Sequence, residues 1–133
     1  MSKLRVVVAE DHEGLRAQIV RLLSSEFEVV DAVGDGMRLV SSAVACKPNV
    51  IVSDVYMPLL TGPQAMRDLK ARGCEIPFVF ISTDIEFFGQ RQTSFVPKID
   101  LCAEIVPAVC TAASGERYVP LRFRSRPLPS GKG

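Results

Sequence analysis

The sequence predicts an α/β fold built around one parallel sheet, and three observations carry that reading. Short runs of Val, Ile and Phe recur along the first 115 residues without polar alternation, as strands buried on both faces do. Stretches with apolar residues at helical spacing separate them, so strand and helix alternate. Turn and cap residues fall at the joints: Gly34-Asp35-Gly36, Pro48, Gly73 and Gly115.

Taken in order, Leu4–Ala9 is rich in β-branched residues and stops at the carboxylates Glu10 and Asp11. His12–Ser25 places Leu15, Ile19, Leu22 and Leu23 at helical spacing, with His12, the only histidine, at the helix start and read neither as a ligand nor as a general base. Phe27–Val33 is the second strand. Gly34-x-Gly36 closes it as a turn, since the third glycine of a nucleotide-cradling fingerprint is missing. Met37, Leu39, Val40, Ala43 and Val44 line the second helix, which Pro48 ends from outside. Asn49–Ser53 is a buried strand running straight into Asp54. Gly62–Arg72 follows as a helix, with Pro63 in its first turn and Gly73 past its end. Pro77–Ile81 is the fourth strand, Ser94–Pro97 a short fifth, and Asp100–Ser114 the last helix, with Asp100 as its expected N-cap.

The 133 residues fit one domain, and 47% hydrophobic content supports a core. No apolar run approaches the roughly 18 residues of a membrane-spanning helix, and Val6–Ala9 is too short for a secretory signal, so a cytoplasmic protein is expected. Cys46, Cys74, Cys102 and Cys110 show no metal-ligand spacing and are expected to be small buried hydrophobes. The net charge of +1 conceals −3 over residues 1–115 and +4 over 116–133. That shift predicts a domain over 1–118 and a basic, Pro/Gly-containing tail over 119–133, in which Arg122, Arg124 and Arg126 are expected to be solvated.

In open parallel sheets, ligands bind outside the carboxyl ends of the strands. The residues expected there are Glu10 and Asp11, Asp54, Ser82-Thr83 and Lys98. Three convergent carboxylates repel one another unless a cation is present. Hard oxygen ligands with positions to spare suit Mg²⁺, and a lysine and a hydroxyl facing the same spot supply donors for phosphate oxygens. That chemistry suits a site that places a phosphoryl group on a carboxylate.

The same residues carry a resemblance. Glu10-Asp11, the run Asp54-Val-Tyr-Met-Pro-Leu-Leu-Thr-Gly62, Ser82-Thr83 and Phe95-Val-Pro-Lys98 resemble, over about residues 4–118, the receiver domain of bacterial two-component response regulators. Asp11-His12 with Arg16, and the ending Ala-Ser-Gly115-Glu-Arg-Tyr-Val-Pro120, look most like receivers of the NarL/LuxR-type DNA-binding regulators. The resemblance implies a flavodoxin-like (βα)5 fold, strand order 2-1-3-4-5, with helices on both faces. It implies Asp54 as phosphoacceptor from a sensor histidine kinase. Mg²⁺ would sit on Asp11, Asp54 and the backbone carbonyl of Tyr56, with Glu10 holding it mostly through water. Lys98 would neutralise the acyl phosphate, Ser82 would donate its hydroxyl to it, and Phe95 would be the aromatic that turns with the switch. Tyr56 and Asp84 would tune the phosphate lifetime. Such a protein catalyses only its own phosphotransfer and dephosphorylation. The alternative is a pseudo-receiver, an interaction module without phosphorylation.

Two departures stand out. Residues 83–94 are short for a full crossover, and Gly89 interrupts the helical run, so the fourth helix is expected to be shortened or irregular. Phe87 and Phe88 fall there, at the face formed by the fourth helix, fifth strand and fifth helix, through which the resemblance implies a homodimer or a partner protein. Too few residues follow Pro120 for a helix-turn-helix, so no DNA-binding domain is expected in this chain.

Overall fold

The computed structural model describes residues 3–84 and 93–124. Five strands form one parallel sheet in the order β2-β1-β3-β4-β5: β1 (Arg5–Ala9), β2 (Glu28–Val33), β3 (Val50–Asp54), β4 (Phe78–Ser82) and β5 (Ser94–Pro97). The described helices are α1 (Glu13–Ser24), α2 (Gly36–Cys46), α3 (Gly62–Ala71) and α4 (Leu101–Ala113). The expected shortened helix between β4 and β5, with Phe87 and Phe88, lies outside the described residues.

Period-two alternation divides the apolar residues between the two faces of the sheet. Val6, Val8, Val50, Val52, Val79, Ile81 and Val96 face one layer with Ile19 and Leu23 of α1 and Leu101, Ile105 and Val109 of α4. Val7, Ile51, Phe78, Phe80 and Phe95 face the other with Leu39, Val40 and Ala43 of α2 and Ala65 and Leu69 of α3. β1 and β3 are buried almost throughout, which explains their unbroken Val/Ile runs. Between β1 and β2 the register shifts by one residue at Val6/Val7, so that Val30 of β2 has no opposite number.

Helix ends follow the local chemistry. His12 caps α1, its Nδ1 accepting the Leu15 amide at 3.1 Å, as its place in the sequence suggested. Asp35 caps α2 by accepting the Arg38 amide at 2.8 Å. Thr61 and Gln64 form a reciprocal capping box on α3, with Pro63 in its first turn. Pro107 lies inside α4 without ending it; its face is exposed, so water can reach the carbonyl it leaves without an amide donor.

Three expectations are corrected and a fourth is qualified. Asp100 stands at the N-cap position of α4, but its carboxylate makes no capping hydrogen bond; it is taken by Arg122 instead. None of the four cysteines is buried: Cys46 and Cys74 are half-buried, Cys102 and Cys110 exposed. The inner stripe of α4 is already filled by Leu101, Ile105, Ala108, Val109 and Ala112, which leaves Cys102 and Cys110 the outer side. On α2, Met37 and Val44 point outward for the same reason. Finally, Arg122 and Arg124 are exposed, as expected, but they also make contacts; Arg126 lies outside the described residues. Leu121–Phe123 form a single 3-10 turn, and both arginines contact the domain.

Candidate functional site

The site lies where β1, β3 and β5 end. Val7, Val8 and Ala9 pair with Ile51, Val52 and Ser53, so Glu10-Asp11 and Asp54 leave the sheet side by side. Asp54 pairs with Ile81, which puts Ser82 one residue further on the neighbouring strand, and Ser82 in turn pairs with Pro97, just before Lys98.

Glu10, Asp11 and Asp54 each present a carboxylate oxygen within 4.8 Å of the others. Lys98 Nζ lies 2.9 Å from Asp54 Oδ2 and 3.4 Å from Glu10 Oε1. The other Asp54 oxygen, Oδ1, accepts the Val55 amide at 2.7 Å. Glu10 is 1% exposed and Asp54 6%, whereas Asp11 is exposed at the rim. The loop carrying Glu10 is itself anchored: its amide donates to Val33, its carbonyl accepts Arg16 Nη1 at 2.9 Å, and its Oε2 accepts the His12 amide at 3.0 Å. The Arg16 and Val55 contacts are absent from the sequence reading of the site. A strand-end carboxylate followed by a free amide gives some signal for Val55; nothing local announces the Arg16 grip.

Electrostatics follows the burial. Burial pushes the Glu10 carboxyl up to about 7; the Asp54 charge adds to the rise, while the His12 amide and the Lys98 charge oppose it. Burial disfavours the Lys98 ammonium, yet the hydrogen bond and charge of Asp54, and Glu10 beside it, raise it above the ordinary lysine value. Glu10 Oε1 is buried without a hydrogen-bond partner in the site. An acceptor that makes no hydrogen bond among the described residues, its nearest cation being Lys98 Nζ at 3.4 Å, stands beside two further carboxylates and fits a hard divalent cation of the Mg²⁺ class.

The remaining expected residues are placed less directly. Ser82 is buried and its Oγ accepts the Asp84 amide at 2.9 Å, leaving the hydroxyl hydrogen available for another acceptor. Tyr56 is 56% exposed in the β3–α3 loop, two residues beyond Asp54, and Asp84 is exposed two residues beyond Ser82. Phe95 is buried on β5 with the Phe123 ring 6.0 Å away. Gly62 explains the spacing from Asp54. A Cβ there would overlap the Asp54 carbonyl oxygen and stand 2.8 Å from the Phe80 ring and 2.9 Å from Ser53 Oγ, so only glycine lets α3 start directly beneath the site.

Residues 6–93 match the family model described as the response regulator receiver domain. The chain is 37% identical over 83 residues to protein-glutamate methylesterase/protein-glutamine glutaminase 1 of Geobacter sulfurreducens, covering 61% of this chain and 23% of that protein. It is 34% identical over 83 residues to the transcriptional regulatory protein DegU of Brevibacillus brevis, covering 61% and 35%. The chain thus spans about a third or less of the length of these curated relatives. Among solved structures, the signal receiver domain of the response regulator NarL from Mycobacterium tuberculosis superposes with a TM-score of 0.79 at 30% identity, over 87% of this chain and 100% of that one.

Proposed function

The chain belongs to the response regulator receiver domain family, and from that premise we propose that Asp54 accepts a phosphoryl group from a sensor histidine kinase and thereby switches the conformation of the domain. The observation that carries this reading is the Lys98 ammonium at 2.9 Å from Asp54 Oδ2, with Glu10 and Asp11 at hand. In the transfer, a carboxylate oxygen of Asp54 bonds to phosphorus as the bond from phosphorus to the donor's imidazole nitrogen breaks, and the nitrogen keeps the electron pair. The transition state of phosphoryl transfer is loose, so the protein's work is positioning and charge neutralisation. Lys98 balances the charge developing on the phosphoryl oxygens, the Ser82 hydroxyl donates to one of them, and the Val55 amide holds Oδ1.

Glu10, Asp11, Asp54 and the Tyr56 carbonyl are assigned as the residues that hold Mg²⁺, which when bound would offset phosphoryl charge. Phe95 is assigned to the switch, and Tyr56 and Asp84 to phosphate lifetime. Bulky Tyr56 shields the acyl phosphate, so its decay should quicken in Tyr56→Asn; an unchanged decay rate would remove Tyr56 from that role. Residues 1–118 are taken as the receiver and 119–133 as its tail. Self-association, or docking of a partner protein, is assigned to the side carrying β5 and α4. We assign the protein to the cytoplasm; separately, no helix among the described residues is long and apolar enough to cross a membrane.

The test is acyl-phosphate labelling with acetyl phosphate and Mg²⁺, followed by intact mass analysis. One phosphoryl adduct is expected on the wild type and none on Asp54→Asn. An unlabelled wild type, or a labelled Asp54→Asn, would refute the assignment and favour the pseudo-receiver.

A further inference from the structure

Beyond α4 the chain turns back along β5. Gly115 ends the helix with φ of +90°. Arg117 Nε then donates to the Thr93 carbonyl at 3.2 Å, the Tyr118 amide donates to Ser94 Oγ at 2.9 Å, and the Phe95 amide donates to the Tyr118 carbonyl at 3.4 Å. Further on, the Leu121 amide donates to buried Glu104 at 3.0 Å, and that carboxylate also accepts the Tyr118 hydroxyl at 2.6 Å. Phe123 lies 6.0 Å from Phe95, and the Arg124 guanidinium lies 5.4 Å over the Tyr118 ring.

The decisive contact is the fork of Arg122 on Asp100, with Nε at 2.6 Å from Oδ2 and Nη2 at 2.9 Å from Oδ1. Asp100 is the last residue of the 3-10 turn Lys98–Asp100, and the first residue of that turn is the lysine that holds Asp54. One turn is therefore gripped from both ends, by Asp54 through Lys98 and by Arg122 through Asp100. A 3-10 turn rises only about 2 Å per residue, and a bidentate guanidinium–carboxylate pair is geometrically demanding.

We propose that residues 117–124 form a strap whose seating on β5 and α4 is coupled to Asp54 through this turn, so that a phosphoryl group on Asp54 loosens the strap and a seated strap opposes the phosphorylated state. The proposal rests on the phosphoacceptor reading of Asp54. Release would uncover the side of Phe95 that Phe123 covers, together with the β5 backbone beside Tyr118. Coupling of this kind is reciprocal in binding free energy.

Two measurements on the full chain test it. Hydrogen exchange at the Leu121 amide should quicken by about fivefold or more when Mg²⁺ and beryllofluoride are added to the wild type. Arg122→Ala should bind beryllofluoride about fivefold more tightly than wild type, with Arg122→Lys, which keeps the charge but loses the fork, in between. Unchanged Leu121 exchange in the mimic-bound wild type, or equal or weaker binding by Arg122→Ala, would overturn the strap. If the wild type binds no mimic, the phosphoacceptor reading fails separately. The coupling is then decided by Lys98→Ala, which should change Leu121 exchange by a similar factor and overturns the strap if it does not.

Discussion

Replacing Lys98 with methionine keeps an unbranched stem and deletes the ammonium. In the native site the Lys98 side chain is 24% exposed and its ammonium stands between Asp54 at 2.9 Å and Glu10 at 3.4 Å, whose side chains are 8% and 1% exposed. At an effective dielectric of about 20, each contact is worth roughly 5 kcal/mol of Coulomb energy, most of it offset by desolvation of the three charges. Breaking a buried pair leaves a net loss on the order of 3 kcal/mol. The loss should depend on pH in a defined direction. With Glu10 raised from 4.5 to about 7, the folded protein binds more protons than the unfolded chain between those values. The metal-free wild type therefore loses stability as pH rises through that window. Without the ammonium, Glu10 must ionise beside Asp54 with no lysine cation to offset it, so the penalty of the variant grows with pH. We expect about 1–2 kcal/mol at pH 5, where Glu10 is protonated in the fold, and about 3–4 kcal/mol at pH 8, the latter lowering Tm by about 10 °C. Urea and thermal unfolding followed by circular dichroism in EDTA, at intervals from pH 5 to pH 8, would measure both proteins. A penalty below about 1 kcal/mol at pH 8, or one that is flat with pH, would refute the view that Lys98 is the counter-charge for two buried acids.

Gly62→Ala should cost about 2–3 kcal/mol by overpacking against the Asp54 carbonyl and Phe80, and should weaken Mg²⁺ binding because Asp54 shifts. Urea midpoints and a metal titration would check both effects. Glu104→Ala strands the Tyr118 hydroxyl and the Leu121 amide and should cost about 2–3 kcal/mol, whereas Glu104→Gln, which keeps an acceptor, should cost less. Near-ultraviolet circular dichroism of the tyrosines, recorded through urea unfolding, would report the difference. In a separate pH titration of the folded protein, the Tyr118 phenol should ionise above the ordinary tyrosine value, pushed up to about 12 by burial and by Glu104.

The residues that were easy to read are those whose role is set by neighbours in sequence or by strand periodicity. Asn49–Ser53 reads as a buried strand because Val50, Ile51 and Val52 are consecutive β-branched apolar residues, and the carboxylate of Asp54 that follows is delivered to the sheet's binding edge whatever lies elsewhere. Glu10, Asp11, Asp54 and Lys98 converge for the same reason: parallel strands deliver their ends to one side. What escaped depends on contacts made at a distance. Asp100 has all the local features of a cap, and only the return of the chain 22 residues later gives it Arg122. Glu104 sits alone in the apolar stretch Leu101–Ala113, an anomaly that signals a buried partner without naming Tyr118. Cys102 and Cys110 face outward because other residues won the inner stripe of α4, a competition that composition cannot decide.

The odd residue in β2 bears on how the molecule behaves at high concentration. A flat outermost strand would offer its vacant amides and carbonyls to any extended chain, and repeated recruitment of that kind leads to fibres. Here that side carries the one-residue slip at Val30, together with Glu28 and Asp31, so an incoming strand would meet a local kink and negative charge. The opposite margin is occupied by the molecule's own Arg117 and Tyr118. Growth by strand addition is thus discouraged in both directions by unrelated means. A sheet built largely of valine, isoleucine and phenylalanine is thereby a poor template for a further strand at either margin.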